Sequence, residues 1–295
     1  LALPVIHGMK PDHDKFAGAF YTLTTEALAK DGKAIQAGTS HNLGQGFSEA
    51  YDVSFLDENE ERKRPWMTSW AVSTRLIGTL LIVHGDDKGL RLPPAVAPIQ
   101  VVCVPVYKSD AEREIVLAAL SEIMIGWEAG GANIRSHLDN RDDKRPGFKY
   151  SEWELKGVPI RLEIGPKDLE KEQVVLVRRD TGEKTTMHMD AVRDSVTIHQ
   201  MLESIQIGLY DQAMDFMEER TSSVETYDQF KKTLEEKPGF IWAPWDGTAE
   251  SAEAVQKETK ATIRVLLPDR PSAEGQKDIY SGKPAKEMAV WAKAY

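Results

Sequence analysis

The sequence predicts a mixed α+β and α/β chain in three segments, and three observations carry that prediction. Residues 1 to 96 alternate short apolar stretches with glycine-rich turns, the rhythm of an antiparallel sheet. From Ile99 onward strand-like and helix-like periods alternate, as in a three-layer α/β domain built from βαβ crossovers. The remainder, residues 216 to 295, returns to a small α+β pattern. Pro93-Pro94 and Pro98 interrupt secondary structure and set the first boundary, giving segments 1–96, 97–215 and 216–295.

Each element has a local reason. In the first segment, apolar runs at 66–72 and 76–83 bracket Ser73-Thr74-Arg75, which predicts a strand leading into a buried helix. In the second, the run 99–106 reads as a buried strand. Ser109 and Glu112 then form a capping box that opens a helix to about Glu128, stopped by Gly130-Gly131. A strand near 133–138, a short helix near 150–156, and strands at 158–164 and 173–179 follow, the last turned by Asp180-Thr181-Gly182. A helix from about 189 to 220, in one piece or two, closes a largely parallel sheet. In the tail, Phe230 begins a helix, 239–245 reads as a strand, 249–259 as a helix and 269–275 as a loop. No repeat or low-complexity tract interrupts the chain.

Composition narrows the class. Charged residues are 28% and hydrophobic ones 41% of 295, which is ordinary globular usage. No apolar run reaches the roughly 20 residues of a membrane span, so no membrane association is expected. The opening Leu1-Ala2-Leu3-Pro4-Val5-Ile6 lacks the charged start and cleavage site of a signal peptide. Cys103 stands alone within an apolar run, as a buried strand residue with no disulfide partner, which fits a cytoplasmic location. A net charge of −10 argues against a general nucleic-acid binder. Basic residues cluster locally at Arg141, Lys144, Arg145 and Lys149, and again at Arg178-Arg179; such clusters serve either a specific RNA or a solvated face.

Three polar, glycine-punctuated stretches at 36–45, 69–78 and 84–90 lie between apolar runs, as if one ligand pocket were lined from several strands and loops. Arg75 sits between two apolar runs, where an unpaired guanidinium is costly to bury. An ion pair and a nucleotide contact both answer that cost. Asp86-Asp87 suggests a metal site, yet neighbours in a strand face opposite ways, and an exposed linking turn is the simpler account.

These stretches resemble, in order and wording, the back half of prolyl-tRNA synthetase in its archaeal/eukaryotic-type form. The resemblance continues through Gly147-Phe148-Lys149-Tyr150-Ser151-Glu152-Trp153, Glu163-Ile164-Gly165-Pro166-Lys167-Asp168-Leu169-Glu170 and Ser281-Gly282-Lys283-Pro284-Ala285-Lys286, and reaches the terminal Tyr295. It implies the end of a class II synthetase antiparallel-sheet catalytic domain, then a three-layer α/β anticodon-binding domain, then a C-terminal domain. It also implies ATP-dependent ligation of L-proline to tRNA(Pro) through a prolyl-adenylate, by a cytoplasmic homodimer that uses ATP with Mg2+.

By the same resemblance Arg75 is the catalytic arginine of the third class II motif. Gln36, Thr39, Ser73, Thr74 and Arg75 face ATP, His41 and Trp70 line the proline pocket, and Arg141, Lys144, Arg145 and Lys149 meet tRNA. Phe16-Ala17-Gly18 belongs to the same pattern, although packing accounts for it equally.

Two departures qualify the resemblance. The first and second class II motifs precede the stretch present here, so this portion alone is expected to be inactive. Many relatives hold zinc in the tail through four cysteines, whereas the corresponding neighbourhoods read Trp245-Asp246-Gly247, Glu250-Ser251-Ala252 and Asp278-Ile279-Tyr280. No zinc is therefore expected, and apolar residues are expected to hold the tail. Tyr295 is expected to reach back to the pocket of His41 and Arg75. A non-catalytic RNA-binding or regulatory paralogue is the competing reading; joint retention of Gln36, Thr39, His41, Ser73 and Arg75 disfavours it.

Overall fold

A computed structural model describes residues 1–129, 133–267 and 272–295. The expected Gly130-Gly131 stop and part of the 269–275 loop lie outside the described residues. The chain divides into two compact units, one of Leu1–Ala2 with His84–Ala213, the other of Leu3–Val83 with Met214–Tyr295.

The second of these units begins with strands β1 (Ile6–Met9), β2 (Tyr21–Leu28) and β3 (Ala34–Gly44). Helix α1 (Gly46–Ala50) and a small hairpin, β4 (Phe55–Leu56) with β5 (Arg62–Lys63), lead to β6 (Met67–Ala71) and helix α2 (Arg75–His84). The sheet runs β1-β2-β3-β6, antiparallel throughout, as the alternation predicts. At the β2–β3 turn Asp31 Oδ1 accepts from the Lys33 amide at 3.1 Å, and Gly32 takes φ +79°. Helix α2 corrects the expectation of a buried helix. Leu80 and Val83 are buried, but Ile77 is 65% exposed and Leu81 and Ile82 are exposed too. The run is apolar all round the helix, and only one stripe finds packing partners in this chain.

In the other unit come β7 (Val101–Pro105), α3 (Asp110–Ala129), β8 (Ser136–Leu138), α4 (Pro146–Leu155), β9 (Ile160–Ile164) and α5 (Pro166–Leu169). They continue into β10 (Gln173–Arg178), β11 (Lys184–His188), α6 (Met189–Arg193) and α7 (Ser195–Glu219). Helix α3 starts where its capping box places it: the Glu112 amide donates to Ser109 Oγ at 3.3 Å, while the Glu112 carboxylate accepts from the Lys108 amide at 2.6 Å.

The sheet order is β11-β10-β9-β7-β8. Strand β7 pairs in parallel with β8 and β9, but β10 is antiparallel to both its neighbours, β9 and β11, so the sheet is mixed rather than largely parallel. The reason is β11, an alternating half-polar strand that the apolar pattern does not reveal; it closes a hairpin through Gly182 at φ +75°. Alternate residues of β7 serve both sides. Val101 and Cys103 pack with Leu120, Trp127 and Leu202, whereas Val102 and Val104 pack with Trp153 and Val158. That division makes three layers.

The unit begun by β1 is completed by β12 (Thr221–Ser223), α8 (Tyr227–Glu236), β13 (Phe240–Trp245), α9 (Ala249–Thr259), β14 (Ala261–Val265) and β15 (Glu287–Lys293). Their sheet order is β12-β13-β15-β14. Leu28 and Ala34 share an apolar core with Phe240, Val290 and Ala292, and the main chains of Met9 and Leu266 exchange hydrogen bonds of 2.7 and 2.8 Å. Residues 3–83 of the first segment thus fold as one unit with the last segment, while residues 84–96 belong to the other unit.

In the tail, Asp246, Thr248, Ser251, Asp278 and Ser281 meet in a polar knot. Asp246 Oδ1 accepts from Thr248 Oγ1 at 2.8 Å and Ser251 Oγ at 2.6 Å, Asp246 Oδ2 from Ser281 Oγ at 2.9 Å, and Asp278 Oδ2 from the Asp246 amide at 3.2 Å. The tail is held by these bonds as well as by its apolar residues, which corrects the expectation of apolar residues alone.

Candidate active site

Strand β2 carries Thr22, Thr24 and Glu26 at alternate positions, all facing one side of the sheet. Cross-strand pairing aligns Thr22 with His41, Thr24 with Thr39 and Glu26 with Gln36. Strict alternation along β3 would set Gln36 on the opposite face from Thr39 and His41. A bulge between the Thr25↔Gly38 and Glu26↔Gln36 pairs, with Ala37 as the extra residue, brings all three to one face.

Hydrogen bonds agree with this placement. The Gln36 amide donates from Nε2 to Thr24 Oγ1 at 3.3 Å, Thr24 donates to Glu26 Oε1 at 2.7 Å, and His41 Nδ1 lies 2.9 Å from Thr22 Oγ1. Arg75, the first residue of α2, is exposed and extends Nη1 to within 3.5 Å of the Gln36 carbonyl oxygen. Ser73 and Thr74 precede it on the exposed turn, where Ser73 Oγ accepts from the Arg75 amide at 3.3 Å. An amide, hydroxyls and an imidazole therefore share one face of the sheet, with the Arg75 guanidinium beside the Gln36 main chain.

Trp70 does not join them. It pairs with Ser40, one residue out of phase with the His41↔Ser69 pair, and so projects from the opposite face. There it is 74% exposed and lines, with Leu23, Ser40 and Val72, a mostly apolar cleft of about 630 Å³. The expected wall beside His41 is corrected accordingly. Phe16 is the aromatic ring that faces His41, with centroids 4.7 Å apart.

The basic cluster of the other unit separates into two kinds of residue. Lys149 is 2% exposed; its ammonium donates to the Asp139 carbonyl at 2.9 Å and lies 3.7 Å from Asp139 Oδ1. Arg141 forks onto Asp139 at 2.8 and 2.7 Å and also reaches Glu152 at 2.7 Å, while the Trp153 indole donates to Asp139 at 2.8 Å. Burial works to raise the Asp139 pKa, but the Arg141 and Trp153 hydrogen bonds and the Lys149 charge overcome it and hold the carboxyl below its ordinary range. Lys149 is thus an internal counter-charge and is unavailable to a surface ligand, which corrects its assignment to RNA. Arg141 is largely committed to the same buried carboxylate. Lys144 and Arg145 remain on the surface. Of the second cluster, Arg178 binds Asp180, and Arg179 forks onto Asp86 at 2.7 and 2.5 Å, so Asp86 is a structural link.

A family model described as prolyl-tRNA synthetase, C-terminal, matches residues 227–295, and one for the anticodon binding domain matches residues 100–197. The proline–tRNA ligase of Rubrobacter xylanophilus is 48% identical over 295 residues, and that of Amoebophilus asiaticus 47% identical over 295. Each alignment covers all of this chain. The chain belongs to the prolyl-tRNA synthetase family. It spans about 60% of the length of these curated relatives, 60% of the first and 59% of the second.

For a member of the prolyl-tRNA synthetase family the site contains residues that motif reading passes over. Thr22, Thr24 and Glu26 are a period-two polar row within strand β2, a signal present in the sequence. Arg264, whose Nε and Nη2 lie 3.0 and 2.8 Å from Glu26 Oε2, carries no such signal, because the two positions are 238 residues apart. The terminal Tyr295 does reach back to the first segment, but to the β2–β3 turn. Its hydroxyl donates to Asp31 at 2.7 Å and Lys33 sits over its ring at 4.6 Å. Ala34, whose carbonyl accepts from the Tyr295 amide, is seven residues from His41, about 23 Å along a strand. Ala34 is also two residues from Gln36, whose carbonyl the Arg75 guanidinium approaches at 3.5 Å, so Tyr295 is anchored toward the Arg75 end of the expected pocket and away from its His41 end. Among the described residues no helix is long and apolar enough to cross a membrane, and no cluster of three or more His, Cys, Asp or Glu is placed to hold a metal ion.

Proposed function

We propose that this chain forms the carboxyl-terminal part of an enzyme that ligates L-proline to tRNA(Pro) through a prolyl-adenylate made from ATP. Residues 1–96 are the end of the catalytic domain, 97–215 the anticodon-binding domain and 216–295 the C-terminal domain. The reading carries with it a cytoplasmic homodimer. The observation that supports it most directly is the gathering of Gln36, Thr39 and His41 on one sheet face, with the Arg75 guanidinium 3.5 Å from the Gln36 carbonyl.

Adenylate formation needs a carboxylate held in line with the α-phosphate and a cation where phosphate charge develops, so positioning and electrostatics supply most of the rate. Arg75 is the cation, with a planar and permanently charged group that can stack on or fork to a nucleotide. Gln36, Thr39, Ser73 and Thr74 offer donors and acceptors to the adenosine and phosphates. His41, with Phe16 against its ring, orients proline. Lys144 and Arg145 meet the tRNA backbone, while Arg141 and Lys149 hold the element that presents them. Mg2+ accompanies ATP in such enzymes, but the carboxylate on this face, Glu26, is engaged by Arg264 and Thr24. No residue of this chain is assigned to that ion.

The deciding measurement is proline-dependent ATP–pyrophosphate exchange by the complete protein. Exchange with proline is expected, and its absence in a folded, complete protein would support the RNA-binding paralogue instead.

A further inference from the structure

Glu26 is completely buried, and its carboxylate can only accept hydrogen bonds. Arg264 takes Oε2 with two N–H groups at 3.0 and 2.8 Å, and the Lys10 ammonium stands 3.9 Å from Oε1. Thr24, itself 1% exposed, gives its single hydroxyl proton to Oε1 at 2.7 Å. A threonine hydroxyl has one proton, so once it is committed the oxygen can act toward any other neighbour only as an acceptor. That neighbour is Gln36, which must therefore present its NH2 group to Thr24, at 3.3 Å. The carbonyl Oε1 of the same planar amide is then directed the other way.

We propose that the Arg264–Glu26–Thr24 chain is a positioning device that fixes the amide of Gln36 with its oxygen toward the nucleotide, so that Gln36 recognises a hydrogen-bond donor on ATP. The donor is an amino or hydroxyl group, since the phosphates offer none. This rests on the ATP site proposed above and adds to it the polarity of one contact and the residues that set it. It also gives the C-terminal segment a part in nucleotide selection, because Arg264 lies in β14 and Gln36 in β3. An amide free to rotate could meet donor or acceptor alike; one held by a buried ion pair cannot, and a ligand lacking the donor would leave Oε1 unpaired.

The test compares ATP with three analogues that each lack one donor: purine riboside triphosphate without the 6-amino group, 2′-deoxy-ATP and 3′-deoxy-ATP. Proline-dependent exchange by the complete protein is measured for wild type, Thr24→Val, Thr24→Ser and Glu26→Gln. Thr24→Val removes the hydroxyl at nearly constant volume, and Glu26→Gln lets the side chain donate to Thr24 and so frees Gln36 to reverse.

Wild type is expected to disfavour at least one analogue by tenfold or more in kcat/KM. Thr24→Val and Glu26→Gln should shrink that same preference to within threefold and raise the KM for ATP about tenfold, with the KM for proline unchanged within twofold. Thr24→Ser should behave as wild type. Equal use of ATP and all three analogues by wild type overturns the proposal, as does retained discrimination in either Thr24→Val or Glu26→Gln. A loss in Thr24→Val that strikes ATP and proline alike, and that serine does not restore, also overturns it by making Thr24 merely structural. If wild type shows no proline-dependent exchange at all, the ATP-site reading itself has failed, and this proposal with it.

Discussion

Asp139 and Asp86 show how single carboxylates decide what neighbouring cations can do. Removing the Lys149 charge leaves Asp139 buried with fewer partners, and breaking a buried pair typically costs about 3–5 kcal/mol. Lys149→Met is expected to lower unfolding free energy by an amount of that order in urea titrations, and to leave the salt dependence of tRNA binding as in wild type. Asp86 behaves differently because it is partly exposed. Hydrogen bonds from Arg179 hold its carboxyl down to about 2, against an ordinary 3.8, with partial burial opposing them. A depressed carboxyl pKa contributes stability that is fully present above the unfolded value and is lost as pH falls through the folded one. The stability gap between wild type and Asp86→Asn, measured by denaturant unfolding, should therefore be constant above about pH 5 and close between pH 4 and 2. A gap that widens toward acid would disprove the assignment. At the proposed ATP face, Arg75→Ala in the complete protein should slow proline-dependent exchange by about two orders of magnitude, as for loss of one charge-stabilising contact. A change below about threefold would remove Arg75 from the site.

At the level of elements, turns and bulges fix what strands can present. Gly32 turns β2 into β3 at φ +79°, and a Cβ there would lie 2.3 Å from the Pro238 carbonyl oxygen. Both the backbone conformation and the contact exclude a side chain. Gly32→Ala is expected to cost more than about 2 kcal/mol, read from the urea midpoint at unchanged slope. Residues 141–149, the loop before helix α4 and its first turn, present a smaller surface charge than their composition suggests, since Lys149 is buried and Arg141 is paired. Replacing Lys144 and Arg145 together by alanine should therefore weaken tRNA binding and flatten its salt dependence by about two counter-ions, with pyrophosphate exchange unaffected. If exchange and charging fall together, these two residues support the fold rather than the RNA.

Across the whole molecule, the first and last segments depend on one another. Leu28 and Ala34 bury against Phe240, Val290 and Ala292, and the Glu26 carboxylate is neutralised by Arg264. A chain ending before β12 would expose that apolar surface and leave Glu26 charged without its strongest partner. Such a truncation is expected to lose cooperative unfolding of residues 3–83 while the α/β unit, with its own core, still melts cooperatively. Protection of residues 3–83 from limited proteolysis in the truncated protein would count against this coupling.

Local pattern in the sequence determined a good deal: the antiparallel first sheet, the α/β alternation after Ile99 and the start of α3 at its Ser109 cap, whereas the roles proposed for Gln36, Thr39, His41 and Arg75 came from the family resemblance. The former are short-range properties, set by side-chain periodicity and capping chemistry within a few residues. Only the tertiary structure decided which face each side chain occupies. One bulged residue, Ala37, brings Gln36 round to His41, and the pairing of Trp70 with Ser40 sends the tryptophan to the far side. Whether a basic residue is surface or core was equally beyond local reading, because the environment of Lys149 is made by Asp139, ten residues away in the loop after β8. The Glu26–Arg264 pair is the limiting case. A strand's own period fixes its alternation but not its register or its distant partner, and those depend on how the chain closes over 238 residues.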